Sequence, residues 1–286
     1  MTTPHAEVIG DPIAHSKSPL IHGFWLDQLG IPARYERCHV TPDQLGAYLA
    51  ERRADPDWRG CNVTIPHKQA VISHLDRVDP AAAKIGAVNT IRHDSDGGLT
   101  GLNSDFAGFL EPLRPLLAQR HLFRMARVIG SGGAARAIVH ALASAGFTIA
   151  MIARDTDKAL SLLREVDPDA GSNMIASLES WAAPTDFAWD DRTGCLDLVV
   201  NATSLGMKGQ PPLAIDFSHV PKGAVVYDIV YAPLETPLLA EAAARGHPTV
   251  DGLSMLIGQA AIAFEQFFGC PPPRDRDAEL RERLVV

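Results

Sequence analysis

Excess positive charge, paired cysteines and long apolar runs are all missing from this chain. Its 26 Lys and Arg are outnumbered by 34 Asp and Glu, for a formal net charge of −8. No broad basic surface therefore favours nucleic acid or an anionic membrane, and an anionic ligand has to be held by local features. The four cysteines, Cys38, Cys61, Cys195 and Cys270, form no C-x-x-C pair. That pattern argues against a zinc site or a disulfide framework, and no metal is expected. No apolar run reaches membrane-spanning length. Met1-Thr2-Thr3-Pro4-His5 lacks the basic-then-apolar pattern of a secretory signal, so a cytoplasmic protein with reduced thiols is expected. No internal repeat or low-complexity tract is present.

What is there reads as α/β. A chain of 286 residues with 46% hydrophobic and 21% charged residues is long enough for two domains and ordinary for a globular protein. Apolar strands alternate with helical patterns, which argues for parallel sheets. Ala6 to Gly10 reads as a strand, and a helix follows Ser18 with Leu20, Ile21, Phe24, Trp25 and Leu29 on its apolar face, ending at Gly30. Gly60 to Thr64 reads as a strand, with Pro66 opening another helix. Ser95-Asp96-Gly97-Gly98 between two strands is a hairpin signal. One long helix is expected from Asp105 towards Leu117, with its proline-bearing end kinked. Further helices are expected over Thr236 to Arg245 and Ser254 to Phe268. The organisation expected is a substrate-binding, catalytic domain over 1–105 and 247–286, and a Rossmann-like dinucleotide-binding domain over 106–246, with C-terminal helices returning to the first.

Gly130-Ser131-Gly132-Gly133-Ala134-Ala135 follows the apolar Val128-Ile129 and precedes a helical pattern. In that strand–turn–helix setting, G-x-G-x-x-A suits a pyrophosphate on a helix N-terminus. The second strand of the unit ends at Arg154 and Asp155, with Lys158 close behind. An acidic residue there favours the ribose hydroxyl of NAD, and an arginine favours the 2′-phosphate of NADP. Both are present, side by side.

Outside the nucleotide motif, Ser16-Lys17-Ser18-Pro19 places two hydroxyls beside a helix N-terminus. Ser18 reads as the cap before a proline-led helix, and the pair also suits a carboxylate. Lys68 and Asp105 are residue types that a carbonyl reductase needs: a lysine beside a carboxylate can hand a proton to a developing alkoxide while hydride arrives. Taken singly, each reads as a solvated charge. His15 and His67 read as structural histidines.

Several segments together resemble the shikimate dehydrogenase family (the shikimate/quinate 5-dehydrogenase superfamily). They are Gly10 to Pro19, Asn62-Val63-Thr64-Ile65-Pro66-His67-Lys68, Gly86 to Thr90, Asn103-Ser104-Asp105, Gly130 to Ala135, Asn201 to Met207, and Asp251 to Leu256, in the family's order and almost from end to end. The resemblance implies reversible reduction of 3-dehydroshikimate to shikimate with NADPH, in the chorismate and aromatic amino-acid pathway. It implies Lys68 and Asp105 as the catalytic pair. It puts Ser16, Ser18 and Tyr231 on the substrate carboxylate, and Thr64, Asn89, Asp105 and Gln259 on the ring hydroxyls. Gly130 to Ala135, Arg154, Asp155, Lys158, Asn201, Thr203, Ser204, Gly252 and Met255 would then face the cofactor.

The chain also departs from the family pattern. Ser104 replaces a threonine, Ala135 replaces a serine, and Ala153-Arg154-Asp155 stands where Asn-Arg-Thr is usual. Two other readings stay open. One is an NAD-using quinate/shikimate or aminoshikimate dehydrogenase. The other is a non-catalytic metabolite-sensing relative, which would be expected to have lost the lysine–aspartate pair. The partner expected is a small molecule, with neither nucleic acid nor membrane, and the protein would act as a monomer or homodimer.

Overall fold

The alternation of strands and helices folds into two α/β units, one comprising Met1–Gly108 with Ile257–Val286 and the other Phe109–Leu256. The computed structural model describes residues 3–168, 171 and 173–285.

In the first unit the chain runs β1 (His5–Gly10), α1 (Ser18–Leu29), β2 (Arg34–His39), α2 (Leu45–Arg53), β3 (Trp58–Val63), β4 (Arg77–Val78), α3 (Pro80–Ile85), β5 (Thr90–His93), β6 (Leu99–Leu102) and α4 (Asp105–Leu110). The sheet order is β2-β1-β3-β5-β6-β4. β1 pairs parallel with β2 and β3, whereas β5 pairs antiparallel with both β3 and β6. The sheet is therefore mixed, because the Asp94–Gly98 turn returns β6 directly beside β5 instead of crossing over. Ile9, Trp58, Cys61, Val63, Val88, Ile91 and Leu99 form the core on one face. Local chemistry sets the ends of the helices. Gly30, at φ 62°, closes α1 in the left-handed region, and Asp79 caps α3, accepting from Ala81 N–H ahead of Pro80.

In the second unit the chain runs α5 (Arg114–Leu117), β7 (Phe123–Ile129), α6 (Gly133–Ser144), β8 (Thr148–Ala153), α7 (Thr156–Val166), β9 (Met174–Ser177), α8 (Leu178–Ala182), β10 (Cys195–Asn201), β11 (Val225–Asp228), α9 (Pro237–Ala244), β12 (Thr249–Val250) and the start of α10 (Gly252–Phe268). α11 (Asp277–Val285) closes the chain in the first unit. The second sheet is parallel throughout, in the order β12-β11-β10-β7-β8-β9. That is the doubly wound order whose strand direction of travel reverses between β7 and β10, where such folds bind dinucleotides. Both faces of this sheet are covered, so its central strands are apolar almost throughout.

Four local expectations are corrected. Pro66 does not open an α-helix: residues 65–69 form a turn, followed by a short 3₁₀ segment over Ala70–His74. Lys68 lies on that turn, and its carbonyl accepts from Val88 N–H at 2.7 Å, so the carbonyl is tied to a neighbouring segment. The helix expected from Asp105 to Leu117 is broken into α4, a 3₁₀ turn over Glu111–Leu113, and α5. Pro112 and Pro115 have no N–H to continue the ladder. Ser18 is not the cap of α1. Lys17 occupies that position without a side-chain cap bond, and the Ser16 hydroxyl accepts from Ser18 N–H at 3.3 Å. α10 begins at Gly252, two residues before the expected start, at a position where a Cβ would lie 2.2 Å from Ile229 O.

Candidate active site

The turn after β3 and the start of α4 bring Lys68 and Asp105 together in the first unit. Lys68 Nζ donates to Asp105 Oδ2 at 2.5 Å, with side-chain exposures of 14% and 8%. A pair this enclosed is shielded from the screening that weakens surface ion pairs. Each member still has an accessible edge for a ligand. The other carboxylate oxygen, Oδ1, accepts from Asn89 Nδ2 at 2.8 Å. Asp105 N–H in turn donates to Asn103 Oδ1, and Asn103 Nδ2 to Ala87 O. Asp105 is thus fixed at three atoms before any substrate arrives.

Asn89 is buried and makes full use of its amide. Its Oδ1 accepts from Ser104 N–H at 2.7 Å, and its Nδ2 also reaches Ser104 Oγ at 3.0 Å. A ring hydroxyl binding here would share or displace one of these bonds. Gln259, on α10, is buried and meets Ser104, whose hydroxyl donates to Gln259 Oε1 at 3.4 Å. Gly108 makes this approach feasible, since a Cβ there would sit 2.6 Å from Gln259 N. Thr64 is half-buried at the end of β3, with its N–H on Ile9 O. Ser16 and Ser18 are joined through their hydroxyls at 3.3 Å. Hydrogen bonds in the first unit thereby link Lys68, Asp105, Asn89, Ser104 and Gln259, and separately join Ser16 to Ser18. Tyr231 belongs to the second unit. His67 is buried, with a ring nitrogen 2.7 Å from Val40 O.

In the second unit the glycine motif sits at the end of β7. Gly130 has φ 117°, and a Cβ there would lie 2.9 Å from Thr203 Cγ2 and 3.0 Å from Ala202 O. Beside Gly132, by contrast, there is open space. Gly132 is the cap residue of α6 and carries no side chain to satisfy the first helical N–H groups. Ser131, Gly132, Gly133 and Ala134 therefore present backbone donors and the positive end of a helix to a phosphate. Ala135 is fully buried against the sheet.

Geometry separates the neighbours Arg154 and Asp155. Asp155 caps α7, its Oδ1 accepting from Lys158 N–H at 2.9 Å. Its Oδ1 is engaged at the helix start, whereas Arg154, just past β8, and Lys158, in the first turn of α7, are exposed cations. These residues fit a nucleotide carrying a 2′-phosphate.

Asn201 and Thr203 turn inward. Asn201 Nδ2 donates to Leu205 O and Asp228 Oδ1, while its Oδ1 accepts from Thr203 N–H and Oγ1. They shape the 201–207 loop with their side chains and leave Ser204 exposed on it. Asp228, which the sequence did not single out, braces this loop through Asn201. It is wholly buried at the end of β11, and it accepts from Asn201, Val230 N–H and Thr236 Oγ1. Burial pushes its carboxyl up to about 6, against these bonds, which pull it down. The signal that could have found it was a lone acid ending an apolar parallel strand, Val225-Val226-Tyr227-Asp228. Met255 is buried on α10, and Ser254 N–H closes a turn onto Asp251 Oδ1.

Two family models match the chain: shikimate dehydrogenase substrate binding domain over residues 8–91, and shikimate 5′-dehydrogenase C-terminal domain over 252–279. The shikimate dehydrogenase (NADP(+)) of Sphingopyxis alaskensis is 52% identical across 99% of this chain and 98% of that protein. Shikimate 5-dehydrogenase from Thermus thermophilus, solved with NADP(H) and shikimate, superposes with a TM-score of 0.82 at 34% identity, covering 99% of this chain and 100% of that one. Quinate dehydrogenase from Corynebacterium glutamicum, solved with NAD, superposes with a TM-score of 0.84 at 31% identity, covering 98% and 99%.

Proposed function

The chain belongs to the shikimate dehydrogenase family, and on that premise we propose that it interconverts 3-dehydroshikimate and shikimate with NADP(H) in the cytoplasm. The observation that carries this reading is the Lys68–Asp105 pair, 2.5 Å apart and braced by Asn89.

Each unit has its own task. In the first, Ser16 and Ser18 hold the substrate carboxylate. Thr64, Asn89, Asp105 and Gln259 read the ring hydroxyls. A site that pairs each hydroxyl with a buried donor or acceptor rejects analogues lacking one, because the unmatched group is costly. In the second unit Gly130 to Ala135 take the pyrophosphate, Arg154 and Lys158 the 2′-phosphate, and the 201–207 loop, Gly252 and Met255 lie along the nicotinamide end. Asp155 serves these cations by capping the helix beside them, and it does not grip the ribose.

When bound, the cofactor supplies or accepts the hydride. The chain's part is the proton. Lys68 donates it to the alkoxide oxygen forming at the reduced carbonyl, and takes it back from the hydroxyl in the oxidative direction. Asp105 aims the ammonium and accepts from a neighbouring substrate hydroxyl.

Initial rates with shikimate and quinate, each with NADP+ and NAD+, test the proposal. Shikimate with NADP+ is expected to be the fastest pair. Quinate with NAD+ outrunning it would replace this reading with that of a quinate dehydrogenase.

A further inference from the structure

Beneath the Lys68–Asp105 pair, a chain of buried hydrogen bonds runs in one direction. Tyr35 Oη donates to Asn62 Oδ1 at 2.6 Å. Asn62 Nδ2 donates to Thr90 Oγ1 at 3.1 Å, and Thr90 Oγ1 to Asn89 Oδ1 at 3.0 Å. Asn89 Nδ2 then reaches Asp105 Oδ1. The chain spans three strands, since Tyr35 is on β2 and Asn62 faces Thr90 across the β3–β5 ladder.

We propose that Tyr35 and Thr90 are positioning residues of the reaction. Through Asn62 and Asn89 they fix how the Asp105 carboxylate, and hence Lys68, is presented. The proposal rests on the reading of Lys68 and Asp105 as the catalytic pair.

Hydrogen-bond accounting sets the direction of each link. A threonine hydroxyl has one hydrogen. Asn62 Nδ2 already points its own hydrogen at Thr90 Oγ1, so the threonine hydrogen goes to an acceptor, and Asn89 Oδ1 at 3.0 Å is nearer than Ser104 Oγ at 3.4 Å. Donors around that oxygen, Thr90 and Ser104 N–H with the Ser104 hydroxyl 3.3 Å away, hold the amide with its Nδ2 turned to Asp105. The Asn62 amide is set in the same way, by Tyr35 on its oxygen and Asn89 O, 3.2 Å away, on its nitrogen. Tyr35, Asn62, Thr90 and Asn89 are at most 6% exposed, so water is poorly placed to replace a lost link. Removing the Thr90 hydroxyl leaves a buried Asn62 N–H unmatched and takes away one of the donors orienting Asn89. The Tyr35 ring stacks on His22 at 3.9 Å, so a phenylalanine keeps the packing and loses only the link.

The test compares Tyr35→Phe, Thr90→Val and Thr90→Ser with the parent enzyme, using shikimate and NADP+. A small misplacement of a catalytic group lowers turnover more than cofactor binding. Tyr35→Phe and Thr90→Val should therefore lower kcat by roughly tenfold to a hundredfold, with KM for NADP+ within about twofold. Thr90→Ser, which keeps the hydroxyl, should stay within about threefold of the parent. The proposal is overturned if Tyr35→Phe and Thr90→Val keep kcat within about twofold, or if Thr90→Ser loses as much as Thr90→Val. Either of the two deleting variants suffices if the other does not fold. A parent that fails to turn over shikimate sinks the functional reading alone. Positioning is then read in crystals of the parent and Thr90→Val, where a carboxylate swung away from Lys68 supports it and an unchanged Lys68–Asp105 contact overturns it.

Discussion

Replacing His22 with phenylalanine should make the protein more resistant to acid. His22 is fully buried on α1, stacked on Tyr35 and ringed by Trp25, Phe264 and Phe267. Neither ring nitrogen has a hydrogen-bond partner among the described residues. Burial holds its pKa down to about 3, from an ordinary 6.5. The folded protein therefore keeps this ring neutral in mild acid, whereas the unfolded chain protonates it. For a base with a lowered folded pKa, the stability contribution is full above the unfolded value and is lost as pH falls towards the folded one. Between about pH 7 and pH 4.5 that loss is about 3 kcal/mol, the free energy of protonating only the unfolded state. His22→Phe retains an aromatic ring of similar shape and cannot titrate. At neutral pH it should be close to neutral, since two unmatched polar atoms leave the core as one ring atom is added. The assay is urea unfolding of both proteins at several pH values. The variant should gain about 3 kcal/mol on the parent as the pH falls from about 7 to 4.5. Parallel pH profiles for the two proteins would refute the reasoning.

Three further substitutions probe the cofactor unit. Gly130→Ala puts a Cβ against Thr203 and Ala202 at φ 117°, so stability should drop by about 1–3 kcal/mol and KM for NADP+ should rise; an unchanged melting temperature and KM would count against the close approach. Asp155→Ala should cost about 1 kcal/mol, as loss of a helix cap does, and leave the NADP+ to NAD+ rate ratio within about twofold. A large swing towards NADP+ would mean that the carboxylate opposes the phosphate after all. Asp228 has its folded pKa raised to about 6 from 3.8, so its contribution is full below the lower value and is lost as pH rises through the higher one, by about 3 kcal/mol at most. In Asp228→Asn this decline should vanish, and urea unfolding across that window would show it; a decline as steep as the parent's would contradict the assignment.

How far the sequence could be read followed the range of the interactions. The second unit was legible because its signals are local: apolar parallel strands, a glycine turn between β7 and α6, and Thr236 capping α9. The Asp155 cap was equally local, an aspartate directly before an apolar helix, although its position beside Arg154 drew it towards the ribose instead. Lys68 and Asp105 lie 37 positions apart, and only the resemblance to a family joined them. Asn62 and Thr90 stood in segments that carry the resemblance but had no role there, and Tyr35 gave no sign, because their links exist only across strand registers that periodicity does not specify. His22 read as one more residue along a helix, since nothing in α1 itself shows that Tyr35 and α10 enclose it. The first sheet was only partly legible for a related reason: the hairpin signal marked the β5–β6 turn but did not say that β5 would pair antiparallel with β3.

Turnover by Lys68→Ala tests the central claim most directly, namely that Lys68 moves the proton while Asp105 aims it. With shikimate and NADP+, kcat should fall by roughly 10²–10⁴-fold, with KM changing far less. A variant that kept the parent's kcat and lost only substrate affinity would make Lys68 a binding residue and contradict the mechanism.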